Sequence, residues 1–97
     1  MNGRLVNSLL TERARLLIMA TLAVSESPIE FVSLVEATKL SKGNLSAHIK
    51  KLEEAQFVLV EKKFIQRKPV TRYRCTDLGR SEVKGYLEEV ETMLKSL

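Results

Sequence analysis

Leu40 to Val60, LSKGNLSAHIKKLEEAQFVLV, decides how the rest of the chain is read. It opens on a polar turn, Ser41-Lys42-Gly43-Asn44. Apolar residues then recur at Leu45, Ile49 and Leu52, spaced as one face of a helical period, which predicts an amphipathic helix from about Lys42 to Ala55. Ser41 is its expected N-cap, the hydroxyl accepting a free backbone N–H of the first turn. The remaining faces carry Lys42, Asn44, Ser46, Ala47, His48, Lys50 and Lys51: short donors near the start, ammonium groups further on. Gly43 weakens the first turn and leaves room for close approach of something large. Phe57-Val58-Leu59-Val60 follows at once and reads as a strand.

The charge around this stretch is uneven. From Lys42 to Arg74 there are nine positive residues against three negative ones, whereas the segment before it is neutral and the segment after it is net negative. A basic centre of this kind fits a localised contact with a polyanion. A merely solvated surface is the plain alternative. The distribution favours contact because the charges fall on one helix and one hairpin.

Towards the C-terminus, Val70-Thr71-Arg72-Tyr73-Arg74-Cys75 alternates as a second strand, with Val70, Arg72 and Arg74 on one face and Thr71, Tyr73 and Cys75 on the other. The expected connector is Phe64 to Pro69, a basic hairpin tip, with Pro69 at the tip or the start of the return strand because it cannot donate to a ladder. Thr76 is then a good N-cap and Asp77 suits a first helical turn. Val83, Leu87, Val90, Leu94 and Leu97 repeat at alternating spacings of four and three, an a/d seam. Tyr86 and Met93 widen the stripe. This is more apolar helix than so small a domain readily covers, so 77–97 is expected to pair with a second copy of the chain.

Towards the N-terminus, a strongly apolar helix is expected from Leu9 to Val24, beginning near Thr11 with Glu12 in its first turn, and it should be the best-buried helix. Residues 1 to 8 read as a lead-in or helical arm. Ser25-Glu26-Ser27-Pro28 is a turn, Ile29 a strand of one or two residues, and Phe31 to Thr38 a second helix without an obvious cap. Lys39 and Gln56 stand at helix ends where glycine would be less strained.

The 97 residues, 44% hydrophobic, correspond to a single mainly helical domain with a small β-hairpin (α+β). No apolar run is long enough to span a membrane, and Arg13 and Arg15 interrupt any signal-peptide core, so a cytoplasmic location is expected. Cys75 and His48 are the sole cysteine and histidine, which leaves the common zinc patterns without ligands. Cys75 is expected to fill a small position on a strand. No metal or cofactor is expected. Paired carboxylates, a phosphate-cradling glycine loop and a nucleophile beside a histidine are all missing, so an enzyme is not expected.

The order helix, helix, helix, hairpin, helix resembles small winged helix-turn-helix transcriptional regulators of the MarR/ArsR-like group. The likeness runs from Phe31, Leu34, Val35, Ala37 and Leu40 through Ser41 to Ala55. It continues through Val58 to Lys63, Arg67 to Pro69 and Thr71 to Tyr73, and closes on Thr76, Asp77, Leu78, Gly79 and Arg80. It implies a winged helix with a C-terminal dimerisation helix. It also implies a sequence-specific regulator of double-stranded DNA, with a dimeric repressor the expected form. The helix from Lys42 would enter the major groove and the hairpin wing would touch backbone or minor groove. Site residues so implied are Lys42, Asn44, Ser46, Ala47, His48, Lys50, Lys51, Lys62, Arg67, Lys68 and Arg72 for DNA. Val83, Tyr86, Leu87, Val90, Leu94 and Leu97 are implied for the dimer. Ala47 departs from the pattern, standing where many such proteins carry Arg or another long polar residue. For His48 a half-buried spacer role beside Ile49 is equally open. Any small-molecule effector would lie between the terminal helix and the first. The rival reading is a winged helix that binds a protein and no DNA.

Overall fold

The computed structural model describes residues 8 to 97; the lead-in expected over residues 1 to 7 lies outside them. Five helices and three strands follow in the order α1 (Ser8–Thr11), α2 (Arg13–Ala23), β1 (Ile29–Glu30), α3 (Phe31–Thr38), α4 (Lys42–Glu54), β2 (Val58–Ile65), β3 (Lys68–Cys75) and α5 (Asp77–Lys95). The expected class is observed: helices around a small antiparallel sheet of order β1-β3-β2.

The first helix is not continuous. Glu12 takes an extended backbone and caps α2 with its own carboxylate, which accepts the N–H of Ala14. The Nε of Arg15 donates to the Leu9 carbonyl at 2.8 Å, so the break is closed by a side chain of the next turn. Glu12 is therefore the cap of α2 and not a first-turn acid. Beyond that break α2 is buried as expected: Ile18, Met19 and Leu22 lie in the core and Arg13 alone in the helix is exposed.

Leu34 of α3 and Leu45, Ile49 and Leu52 of α4 close the core with Phe57, Val58, Cys75 and Val83. The apolar triplet of α4 is thus the buried face its spacing predicts, and Cys75 is the buried strand residue expected. The helix ends follow local chemistry. Ser41 Oγ accepts the Asn44 N–H, as anticipated, while Glu30 stands before α3 without capping it. Lys39 and Gln56 both adopt positive φ, 61° and 65°, the left-handed geometry that favours glycine. At Gln56 the N–H donates to the Glu53 carbonyl and the Phe57 N–H to that of Leu52, a Schellman closure that sends the chain straight into β2.

The wing is longer and its turn tighter than expected. Phe64 pairs with Pro69 and Ile65 with Lys68, leaving Gln66 and Arg67 as the whole turn. Both have positive φ, 51° and 68°, the signature of a type I′ hairpin turn usually filled by Asn-Gly. Pro69 lies in the pair next to the turn-closing one, which in an antiparallel ladder is non-hydrogen-bonded, so its missing N–H removes no ladder bond.

Thr76 joins the wing to α5. Its hydroxyl donates to the Gln56 carbonyl at 2.7 Å and accepts the Gly79 N–H at 2.9 Å. Gly79 lets α5 start hard against the body: a Cβ there would collide with the Phe57 carbonyl oxygen. From this anchor α5 runs out along the molecule, whose extents are 53 × 24 × 22 Å. The helix ends at Lys95, so Leu97, expected on its seam, lies beyond it. Among the described residues no helix is long and apolar enough to cross a membrane.

Candidate nucleic-acid interface

The outward side of α4 carries Lys42, Gly43, Asn44, Ser46, Ala47, Lys50 and Lys51, all exposed. At about 100° per residue, Gly43, Ala47 and Lys50 share the middle of that side. Lys42 and Ser46 flank it toward the wing, and Asn44 and His48 toward α2. A Cβ at Gly43 would meet nothing within 4 Å, so the helix backbone is bare at the centre of its exposed face. No acidic residue occupies the first turn, which leaves the partial positive charge of the helix start uncompensated.

The hairpin register decides which wing residues join this side. Val58, Val60, Lys62 and Phe64 face one way with their partners Cys75, Tyr73, Thr71 and Pro69. That face meets α4 across a cleft of about 400 Å³ lined by Ser46, Lys50 and Glu53 of the helix and Val60, Lys62 and Tyr73 of the wing. Burial, and then the Glu53 carboxylate, push the pKa of the Tyr73 phenol above its usual value. The opposite face carries Lys63 and Arg72. Lys63 reaches Glu61 at 3.7 Å, and Arg72 sits in register between Glu61 and Glu30. Of the implied wing contacts, Lys62 adjoins the α4 cleft, Arg67 and Lys68 lie at the turn, and Arg72 is on the far face.

His48 is placed differently from the other polar residues of α4. Its Nε2 lies 3.2 Å from Glu12 Oε2 and its Nδ1 3.2 Å from Arg15 Nη1. The neutral ring with its proton on Nε2 satisfies both contacts, donating to the carboxylate and accepting from the guanidinium. His48 is half-buried, with partners in Glu12 and Arg15 that spacing gave no hint of. Sequence reasoning also passed over Tyr73 as a cleft residue and Phe64 as anything but a connector. A strict two-residue turn would have placed both, but Gln66-Arg67 lacks the Asn-Gly signature.

On α5, Val83 is buried and Tyr86 packs against the core, while Leu87, Val90, Met93 and Leu94 are exposed. The stripe therefore divides: its first part belongs to this chain's own core and its last turns have no cover among the described residues. A groove of about 460 Å³ lies where α5 passes the end of α2, lined by Ala20, Ala23, Val24, Val83 and Leu87 among others. Among the described residues no three His, Cys, Asp or Glu side chains are grouped to hold a metal ion.

A body of α2, α3 and α4, with α4 exposing lysines and a basic hairpin beside it, defines a winged helix-turn-helix protein. The chain belongs to the winged helix DNA-binding domain family, whose pattern it matches over residues 14–94, and it shares its fold with solved regulators of the MarR and PadR families. It is 38% identical over 68 residues to an uncharacterised protein of Methanocaldococcus jannaschii, covering 70% of this chain and 74% of that one. A transcriptional regulator homologue from Pyrococcus horikoshii superposes with a TM-score of 0.87 at 28% identity, covering 97% of this chain and 92% of that chain. BpsR of Bordetella bronchiseptica, whose DNA binding is regulated by 6-hydroxynicotinic acid, shares the fold with a TM-score of 0.71 at 20% identity over 87% of this chain and 62% of its own.

Proposed function

We propose that this protein is a sequence-specific regulator of transcription that binds double-stranded DNA as a homodimer, with α4 in the major groove and the wing on the flanking backbone and minor groove. One observation carries this reading: the exposed side of α4 and the face of the wing beside it line a single cleft flanked by Ser46, Lys50 and Lys62, within the basic third of the chain.

Lys42 and Ser46, beside the open helix start, are suited to phosphates. Asn44 offers an amide to an adenine edge, and Lys50 points at the groove from the middle of the helix. Gly43 and Ala47 let the helix sit low, and a methyl at Ala47 suits the methyl of thymine. Lys51 serves the backbone. Arg67 and Lys68 serve phosphates and the minor groove at the tip. Arg72, on the far face, acts through the field of the wing and not by contact. His48 positions α4 against α2.

The uncovered turns of α5 pair with those of a second copy, through Leu87, Val90 and Leu94 with Val83 and Tyr86 behind them, and Leu97 extends the contact past the helix end. A two-fold dimer reads two half-sites. A promoter occupied in this way is closed to polymerase, so repression is the expected outcome.

The test is a salt titration of binding to a labelled duplex library, with the mass in solution measured alongside. Enrichment of a two-fold symmetric site by a dimer, with roughly six phosphates' worth of salt dependence per protomer, is the expected result. Arg67→Ala with Lys68→Ala should weaken all sequences about equally, and Asn44→Ala should change sequence preference. Absence of binding at low salt would overturn the reading in favour of a protein-interaction module.

A further inference from the structure

Phe64 is 79% exposed, an aromatic ring standing in water where a fold with so few aromatics has every reason to bury one. It lies at the end of β2, paired across the ladder with Pro69 and one residue pair from the type I′ turn. Its face of the wing is the one that carries Lys62 and meets α4. Lys62 shares its face two residues back and Arg67 stands in the adjoining turn, whereas Lys68, paired with Ile65, faces the other way. An apolar ring with an apolar partner, flanked by cations and turned to the side of the recognition helix, fits a groove with sugar and base edges inside and phosphates along its rims.

We propose that Phe64, backed by Pro69, is a minor-groove wedge that the wing inserts at a base step, partly unstacking it and bending the duplex. The inference rests on the DNA-binding reading above and deepens it. Reach supports it. From Val60, at the α4 cleft, to Phe64 the strand advances about 13 Å at ~3.3 Å per residue. A helix seated in a major groove about 12 Å wide thus has a wing tip that clears the intervening phosphates and meets the next minor groove. Rigidity supports it as well, because a two-residue turn and a continuous ladder to Ile65–Lys68 hold the ring without a flexible loop. Apolar wedges act by this route, and they favour pyrimidine–purine steps, which unstack most easily. Phe64 would then give sequence preference at positions that α4 does not touch.

The experiment uses the full chain and an alternating dA-dT duplex with 2-aminopurine in place of adenine, so that every second step is a TA step and a shift of one base pair brings one under the wing. At low salt the wild-type protein should raise the 2-aminopurine fluorescence on binding. Phe64→Ala should abolish that rise and weaken binding about tenfold, while Phe64→Leu keeps part of both. Circular dichroism melting should be unchanged in Phe64→Ala, because the ring supports no core. Wild-type binding without a fluorescence rise overturns the wedge and leaves the DNA-binding reading intact. Absence of wild-type binding overturns both. An intact rise in Phe64→Ala together with a changed mass in solution would assign the ring to contact between copies, and the wedge would fall.

Discussion

Nε2 of His48 and Oε2 of Glu12 lie 3.2 Å apart, tying the exposed helix α4 to the residue at which the first helix breaks. Arg15 holds the other ring nitrogen and also closes the break through Leu9. The orientation of α4 on the body is thus set partly by a polar contact as well as by Leu45, Ile49 and Leu52.

A double-mutant cycle measures that tie. His48→Ala and Glu12→Ala should each destabilise the fold, and the pair should show a coupling of ~0.5–1 kcal/mol in urea denaturation, the scale of one partly exposed hydrogen bond. Strict additivity would mean that the contact contributes nothing.

Thr76 is the second joint. Its hydroxyl both donates to Gln56 and accepts from Gly79, so Thr76→Ala removes a helix cap and leaves a carbonyl without its donor. The expected loss is about 1–2 kcal/mol. Thr76→Ser should recover most of it, as read by thermal melting.

Gly79 tolerates no side chain. Gly79→Ala places a Cβ against backbone at Phe57 and against the Met19 side chain, so α5 must shift away from α2. A destabilisation of roughly 1–3 kcal/mol follows. Because the uncovered turns of α5 move with its first turn, the proposed dimer should weaken as well, which sedimentation equilibrium would register.

Lys39 and Gln56 offer the opposite sign. Both hold positive φ without being glycine, at a cost of about 1–2 kcal/mol each. Glycine relieves that cost but adds freedom to the unfolded chain. Lys39→Gly and Gln56→Gly should therefore raise stability by up to ~1 kcal/mol each, seen as a higher urea midpoint at constant slope.

Much of the architecture was legible one element at a time. Ser41 and Thr76 cap the helices that follow them, the Leu45-Ile49-Leu52 face is buried, Ile29 begins a two-residue strand, and Lys39 and Gln56 adopt the strained backbone their positions imply. Each depends on neighbours within a few residues, and local spacing carries that information. The exposed basic side of α4 was legible for the same reason, since it is what remains once the apolar face is assigned.

Other features needed residues distant in the chain to be brought together. The break at Glu12 depends on Arg15 and on a histidine of α4, and no propensity at Thr11 or Glu12 announces it. The two-residue turn at Gln66-Arg67 is imposed by the ladder of β2 on β3, against the usual turn composition. That register then determines that Lys62 and Phe64 face α4 while Lys63 and Arg72 turn away.

Periodicity and turn chemistry act over one or two turns, so they specify the caps at Ser41 and Thr76, the buried faces and the basic centre of the chain. Which side chains share the cleft between α4 and the wing, what holds His48, how far α5 runs uncovered and that Phe64 stands in the open come from packing between distant segments. Those outcomes depend on strand register and helix docking, where a shift of one residue turns every side chain to the other face.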